Sequence, residues 1–164
     1  MQYIALNGFR HPLNRYFNDK VQCVNEFDWN TRTISRLSNL IKTPTVLIGF
    51  SDGATAVLHI AAVNPHIVIA YAHSPMMPAR LPQWSQTLFR LFRTMGDTTP
   101  TFKETEKVFH LMQEQNISVE MSSLQPLPAL PIRDFATLVM AWKKHQFHNC
   151  IPCLPQELIS ETFR

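Results

Sequence analysis

The chain has 164 residues, of which 45% are hydrophobic and 16% charged, with a formal net charge of +3 at pH 7. That length suits one domain around one core, and scattered Lys and Arg residues without a basic run argue against nucleic-acid binding. The only apolar run in the first twelve residues is Tyr3–Leu6, shorter than a secretory signal, and no segment nears the ~20 apolar residues of a membrane span. A cytoplasmic protein with no membrane partner is expected, its three cysteines kept as thiols.

In chain order, Tyr3–Leu6 reads as a short strand stopped by the Asn7-Gly8 turn signal, and Val21–Val24 as a second strand. Asn30 or Thr31 caps a helix running to about Ile41, with Ile34, Leu37, Leu40 and Ile41 on one face. Thr45–Phe50 is apolar on both faces, as a central parallel strand must be. Asp52–Val63 is an alanine-rich helix closed by Asn64-Pro65. Ile67–Ala72 is another buried strand, Pro75–Gln83 a loop, and Leu88–Met95 a strand or short helix. Phe102–Gln115 is an amphipathic helix turning Val108, Phe109 and Met112 inward, and Ile117–Met121 alternates like a sixth strand. A proline-rich link, Pro126–Pro131, leads to a last helix over Asp134–Lys144. One domain is expected over residues 1–144, with 145–164 as a C-terminal extension. Alternating strands and helices predict an α/β fold in three layers: a mostly parallel sheet with helices on both faces. Ligands then sit beyond the carboxyl ends of the strands.

One such end carries Gly49-Phe50-Ser51-Asp52-Gly53, a G-x-S-x-G pattern between a strand and a helix. A serine on so tight a turn has strained backbone angles. Its neighbours two residues away pack against each other, so only small residues fit there. The turn lifts the hydroxyl above the sheet and sets the Asp52 N–H at a helix N-terminus, where developing negative charge is stabilised.

With these residues in view, the chain resembles a small, lidless member of the α/β-hydrolase superfamily. Leu6-Asn7-Gly8-Phe9 is similar to the segment after the family's first core strand, which helps build its oxyanion hole. Gly49–Gly53 resembles the nucleophile elbow, and Met95–Pro100 the glycine-aspartate loop that carries the acid. The resemblance implies a three-layer α/β-hydrolase-like fold and a Ser–acid–His triad in that chain order. It makes Ser51 the nucleophile, and the N–H groups of Phe9 and Asp52 the oxyanion donors.

The other triad members depart from the pattern. The family's carboxylate tends to fall three residues after the glycine, where this chain has Thr99. Asp97 fills the role if the loop is shortened, and otherwise is a loop residue near a helix start. The family's histidine lies between the last strand and last helix, but Ser122–Asp134 contains none. His59 and His110 sit within helices, His66 at the wrong end of a strand, and His145 and His148 after the last helix. His73, ending the strand after the elbow helix, and His11, after the Asn7-Gly8-Phe9 loop, are the candidates for a rearranged base; each also reads as an ordinary loop histidine.

Other clusters carry less. His145-x-x-His148-x-Cys150-x-x-Cys153 offers four zinc-type ligands, but a single residue between the pairs leaves little room to converge. No metal or cofactor is expected. Phe27, Trp29, Trp84, Phe89 and Phe92 line either an apolar pocket or the core, and the core takes the larger share. Arg80, Arg90 and Arg93 read as a solvated edge rather than an anion site. The expected function is a small serine hydrolase acting on a small-molecule ester or thioester. The rival is a hydrolase-like fold that has lost catalysis and serves as a binding or structural module.

Overall fold

The computed structural model describes residues 1–8, 13–77, 86–94, 100–124, 136 and 150–163. The elements are β1 (Gln2–Leu6), β2 (Val21–Val24), α1 (Thr31–Leu40), β3 (Thr45–Phe50), α2 (Asp52–Val63), β4 (Ile67–His73), β5 (Leu88–Thr94), α3 (Pro100–Glu114) and β6 (Val119–Leu124), followed by three short 3₁₀ turns between Ile151 and Phe163. The segment read as strand or short helix is a strand. The last strand starts two residues later than its alternation indicates, because α3 has first to be closed. Asn116 takes a left-handed φ of 57°, and the N–H groups of Asn116 and Ile117 donate to the carbonyls of Gln113 and Met112. This is a helix-ending motif in which Asn tolerates the left-handed position. The expected link over Pro126–Pro131 and the helix over Asp134–Lys144 lie outside the described residues, Ala136 apart.

All six strands form one sheet in the order β2-β1-β3-β4-β5-β6, and every neighbouring pair is parallel. Parallel neighbours need crossovers, and the crossovers bury both sheet faces. That is why β3 is buried at all six positions. From β1 the chain steps outward to β2, then returns to the other side of β1 for β3. The strand order therefore reverses between β1 and β3, and in open sheets of this kind ligands bind beyond the carboxyl ends at such a reversal.

On one face, Ile4, Leu6, Leu47, Ala70, Phe89 and Leu91 pack against Leu37 of α1 and Ile41 just after it, most of α2, and Val108 and Met112 of α3. The α2 helix is apolar around most of its girth, and its alanines let it lie close to the central strands. α1 is started by a reciprocal cap: the Asn30 side chain accepts from the Thr33 N–H, and the Thr33 hydroxyl accepts from the Asn30 N–H. Such a box satisfies two otherwise orphaned donors.

Among the described residues, the opposite face (Ala5, Val46, Ile48, Phe50, Tyr71, Phe92) is covered by Leu13, Tyr16 and Phe17 together with Cys150, Ile151, Leu154, Leu158 and Ile159. The two covering segments are stitched to each other. Phe17 and Ile159 form an antiparallel bridge. The Asn18 N–H donates to the Leu158 carbonyl at 2.9 Å, and the Ser160 N–H to the Tyr16 carbonyl at 2.8 Å. Among the described residues, no helix is long and apolar enough to cross a membrane.

Candidate active site

Ser51 stands just after β3, at the reversal of strand order. Its backbone has φ 55° and ψ −115°, a conformation that costs a non-glycine residue about 1–3 kcal/mol and persists only where its surroundings enforce it. Several contacts do so. The Ser51 N–H donates to the His73 carbonyl at 2.9 Å, and the Ser51 carbonyl accepts the Thr55 N–H at 3.1 Å to begin α2. The Thr55 hydroxyl accepts the Met76 N–H at 2.9 Å and lies 3.5 Å from the Ser51 carbonyl, tying the segment after β4 to the same turn. Serine at a helix start usually accepts a first-turn N–H; Ser51 makes no such capping bond.

The glycines explain how the turn fits. A Cβ on Gly49 would stand 2.5 Å from the Gly53 carbonyl oxygen, and one on Gly53 would stand 2.4 Å from the Asn7 oxygen and 2.6 Å from the Leu6 oxygen. The first turn of α2 thus rests directly on the backbone leaving β1. A Cβ on Gly8 would meet the Phe50 oxygen at 2.1 Å and Ser51 Cβ at 2.9 Å, so the loop after β1 is pressed against the serine. Asp52 is exposed at the first position of α2. Its N–H belongs to the first turn, whose donors have no partner within the helix.

His73 closes β4 directly opposite Phe50. It is 3% exposed, and its ring lies 6.3 Å from that of Phe50 at 47°. The structure therefore brings Ser51, Asp52, Gly8 and the His73 backbone together. Phe9, His11 and Asp97 lie outside the described residues, as do Trp84, Arg80, His145 and His148. His59 and His110 fall within α2 and α3, and His66 precedes β4.

Two participants are not evident from the sequence. Ser74, directly after His73, is a second left-handed serine, with φ 54°. It is buried, and its N–H donates to the Phe92 carbonyl at 3.0 Å. The Ser74-Pro75 pair, which favours turn initiation, was the signal available. Asn7, half of a turn signal in the sequence, is 2% exposed. Its side chain accepts the Glu26 N–H at 2.9 Å and donates to the Glu26 carbonyl at 3.0 Å. Trp29 Nε1 donates to the Asn7 carbonyl at 2.9 Å and reaches Asn7 Oδ1 at 3.1 Å.

The remaining candidates resolve into structural roles. Phe89 and Phe92 are core, while Phe27 is exposed. Arg90 donates to the Tyr71 hydroxyl and pairs with Glu120; Arg93 pairs with Glu106 and donates to Ser123. Glu104 accepts the Met77 N–H at 3.4 Å, and the Lys107 hydrogen bond holds its carboxyl below the usual carboxylate range. Cys150 is fully buried; burial, and then Cys153 beside it, push its thiol well up. Burial also raises Cys153. Among the described residues, no group of three or more His, Cys, Asp or Glu is placed to hold a metal ion.

The chain matches no protein-family model, and no curated protein matches it in sequence. Among the described residues its architecture, an all-parallel six-stranded sheet with helices, is an α/β-hydrolase-like fold. Solved structures similar to it include esterase PE8, with a TM-score of 0.60 at 13% identity over 87% of this chain and 91% of that one. SOBER1 of Arabidopsis thaliana has a TM-score of 0.60 at 10% identity, covering 88% of this chain and 98% of that one. A carboxylesterase from Mesorhizobium loti has a TM-score of 0.56 at 15% identity, covering 87% of each chain.

Proposed function

We propose that this protein is a small serine hydrolase, esterase or thioesterase in type, with Ser51 as nucleophile on a nucleophile elbow. The observation that carries the reading is the Ser51 backbone. It is held at φ 55° by the sheet and helix around it, and its hydroxyl is not used to cap that helix. Folds keep such strain where a side chain must be presented. The esterases and hydrolases that share the fold support the same chemistry.

In this reading Ser51 Oγ attacks the carbonyl carbon of a small ester or acyl substrate. A histidine takes the serine proton, because a free hydroxyl is a weak nucleophile. The tetrahedral oxyanion is received by the N–H groups of Asp52 and Phe9. The same histidine then protonates the departing alcohol or thiol, and water releases the acyl group. His73 is favoured as base by its position at the carboxyl edge and the bond between its carbonyl and the Ser51 N–H; His11 is the alternative. Asp97 orients the base. The reaction belongs in the cytoplasm, where the cysteines stay reduced.

The second reading is a hydrolase fold that has lost catalysis and serves as a binding or structural module. It is favoured by the absence of histidine from Ser122–Asp134 and by the burial of His73 against Phe50. Steady-state hydrolysis of short-chain p-nitrophenyl esters and thioesters separates the two. The enzyme reading expects turnover, and a loss of about 10³-fold or more in kcat/KM for Ser51→Ala. His73→Asn and His11→Asn, made singly, identify the base by a comparable loss. A folded wild-type chain that turns over no ester establishes the module instead.

A further inference from the structure

We infer that Asn7 and Trp29 are positioning residues that hold the wall of the site beside Ser51; the inference rests on the hydrolase reading above. β1 is held by pairing with β2 on one side and β3 on the other, and its last pairings are Leu6 with Val24 and with Gly49. Beyond Leu6 that ladder gives one more bond, from the Asn7 N–H to the Val24 carbonyl at 3.3 Å, and then ends, yet the backbone must still stay seated against the serine turn. Gly8 has no side chain with which to anchor itself, and its backbone approaches the Phe50 oxygen and Ser51 Cβ too closely to accept one. The anchoring falls to Asn7.

The Asn7 amide is buried and almost saturated. Its oxygen accepts from the Glu26 N–H and from Trp29 Nε1, and its nitrogen donates to the Glu26 carbonyl. The indole N–H is shared between the Asn7 side-chain and main-chain oxygens. The same main-chain oxygen faces Gly53 in the first turn of α2. The Asn7-Gly8 segment is therefore wedged between the Trp29 indole and the Ser51 turn. The segment after β2 serves as the outer brace for the loop after β1. Loosening the brace lets the wall drift from the reacting carbonyl, and a small displacement at a reacting centre lowers the chemical step more than binding.

Asn7→Ala strips the Glu26 N–H and carbonyl of their side-chain partner, leaves the indole only the main-chain oxygen, and risks the fold. Trp29→Phe removes only the indole N–H and keeps an aromatic ring against the core. For Trp29→Phe, assayed well below its melting temperature, kcat on a p-nitrophenyl ester is expected to fall about tenfold with KM within about twofold, and the rate of fluorophosphonate labelling to fall in parallel. Asn7→Asp, which keeps the acceptor but loses the donor to Glu26, is expected to fall further. A folded Trp29→Phe protein with wild-type kcat and labelling rate overturns the inference while leaving the hydrolase reading intact. A wild-type protein that is neither labelled nor active overturns both.

Discussion

A chain ending at residue 149 is expected not to fold. Ile151, Leu154, Leu158 and Ile159 are each 7% exposed or less and lie on the sheet face formed by Val46, Ile48 and Phe50. Burying one such side chain contributes about 1.5–3 kcal/mol, so the four together amount to roughly 6–12 kcal/mol. That matches the whole stability of a typical domain, about 5–15 kcal/mol. The cut also removes the Phe17–Ile159 bridge and uncovers the strands beneath. Circular dichroism with a urea titration is expected to show no cooperative transition. A cooperative transition close to that of the full chain would mean that the sheet face is held by something else. As a milder test, Leu158→Ala is expected to lower stability by about 2–5 kcal/mol in the same titration.

Gly53→Ala is expected to damage stability and activity together. Its Cβ would fall 2.4 Å and 2.6 Å from the main-chain oxygens of Asn7 and Leu6. Neither can rotate away: Leu6 is held by its sheet partners and Asn7 by Trp29 and Glu26. The helix must therefore withdraw from β1, and because Ser51 begins that helix the hydroxyl moves with it. Overpacking of this kind costs about 1–3 kcal/mol. Displacing a nucleophile by about 1 Å costs on the order of 100-fold in rate. The expected result is a folded variant with a lowered melting temperature and kcat reduced about 100-fold. A Gly53→Ala protein with wild-type turnover would show that the contact between α2 and β1 does not set the position of Ser51.

Much of this architecture is legible in the sequence, because parallel central strands must be apolar on both faces. Thr45–Phe50 and Ile67–Ala72 carry that signature, and Asp52–Val63 between them carries the small residues of a helix lying on strands. The serine turn is equally legible: two glycines two residues either side of Ser51 have a steric cause that the Gly49–Gly53 approach bears out. The ambiguity at Leu88–Met95 had a physical root. Its two arginines interrupt the apolar run, and only the structure shows them meeting Tyr71 and Glu120, and Glu106 and Ser123. The docking of residues 150–163 is hidden because Pro152 and Pro155 break any helical or strand period. The role of Asn7 is hidden because its partners lie nineteen and twenty-two residues away, and its own neighbour marks it as a turn. The turn at Ser74-Pro75 is signalled by its proline, but the left-handed backbone of Ser74 is not.

The resemblance to α/β hydrolases fares differently at its several points. The fold agrees with it. The acid and the base are proposals carried by Asp97, His73 and His11. The strained backbone of Ser51 is held by both strands beside it and the helix after it.

The central claim is that the Ser51 hydroxyl oxygen is a nucleophile, and it is tested most directly by exposing the folded protein to a fluorophosphonate and mapping the adduct by tandem mass spectrometry. The expected result is a single stoichiometric phosphonyl adduct on the peptide containing Ser51, absent from Ser51→Ala and lost on prior denaturation. A folded protein that takes up no label, or one labelled equally after Ser51→Ala, would contradict it.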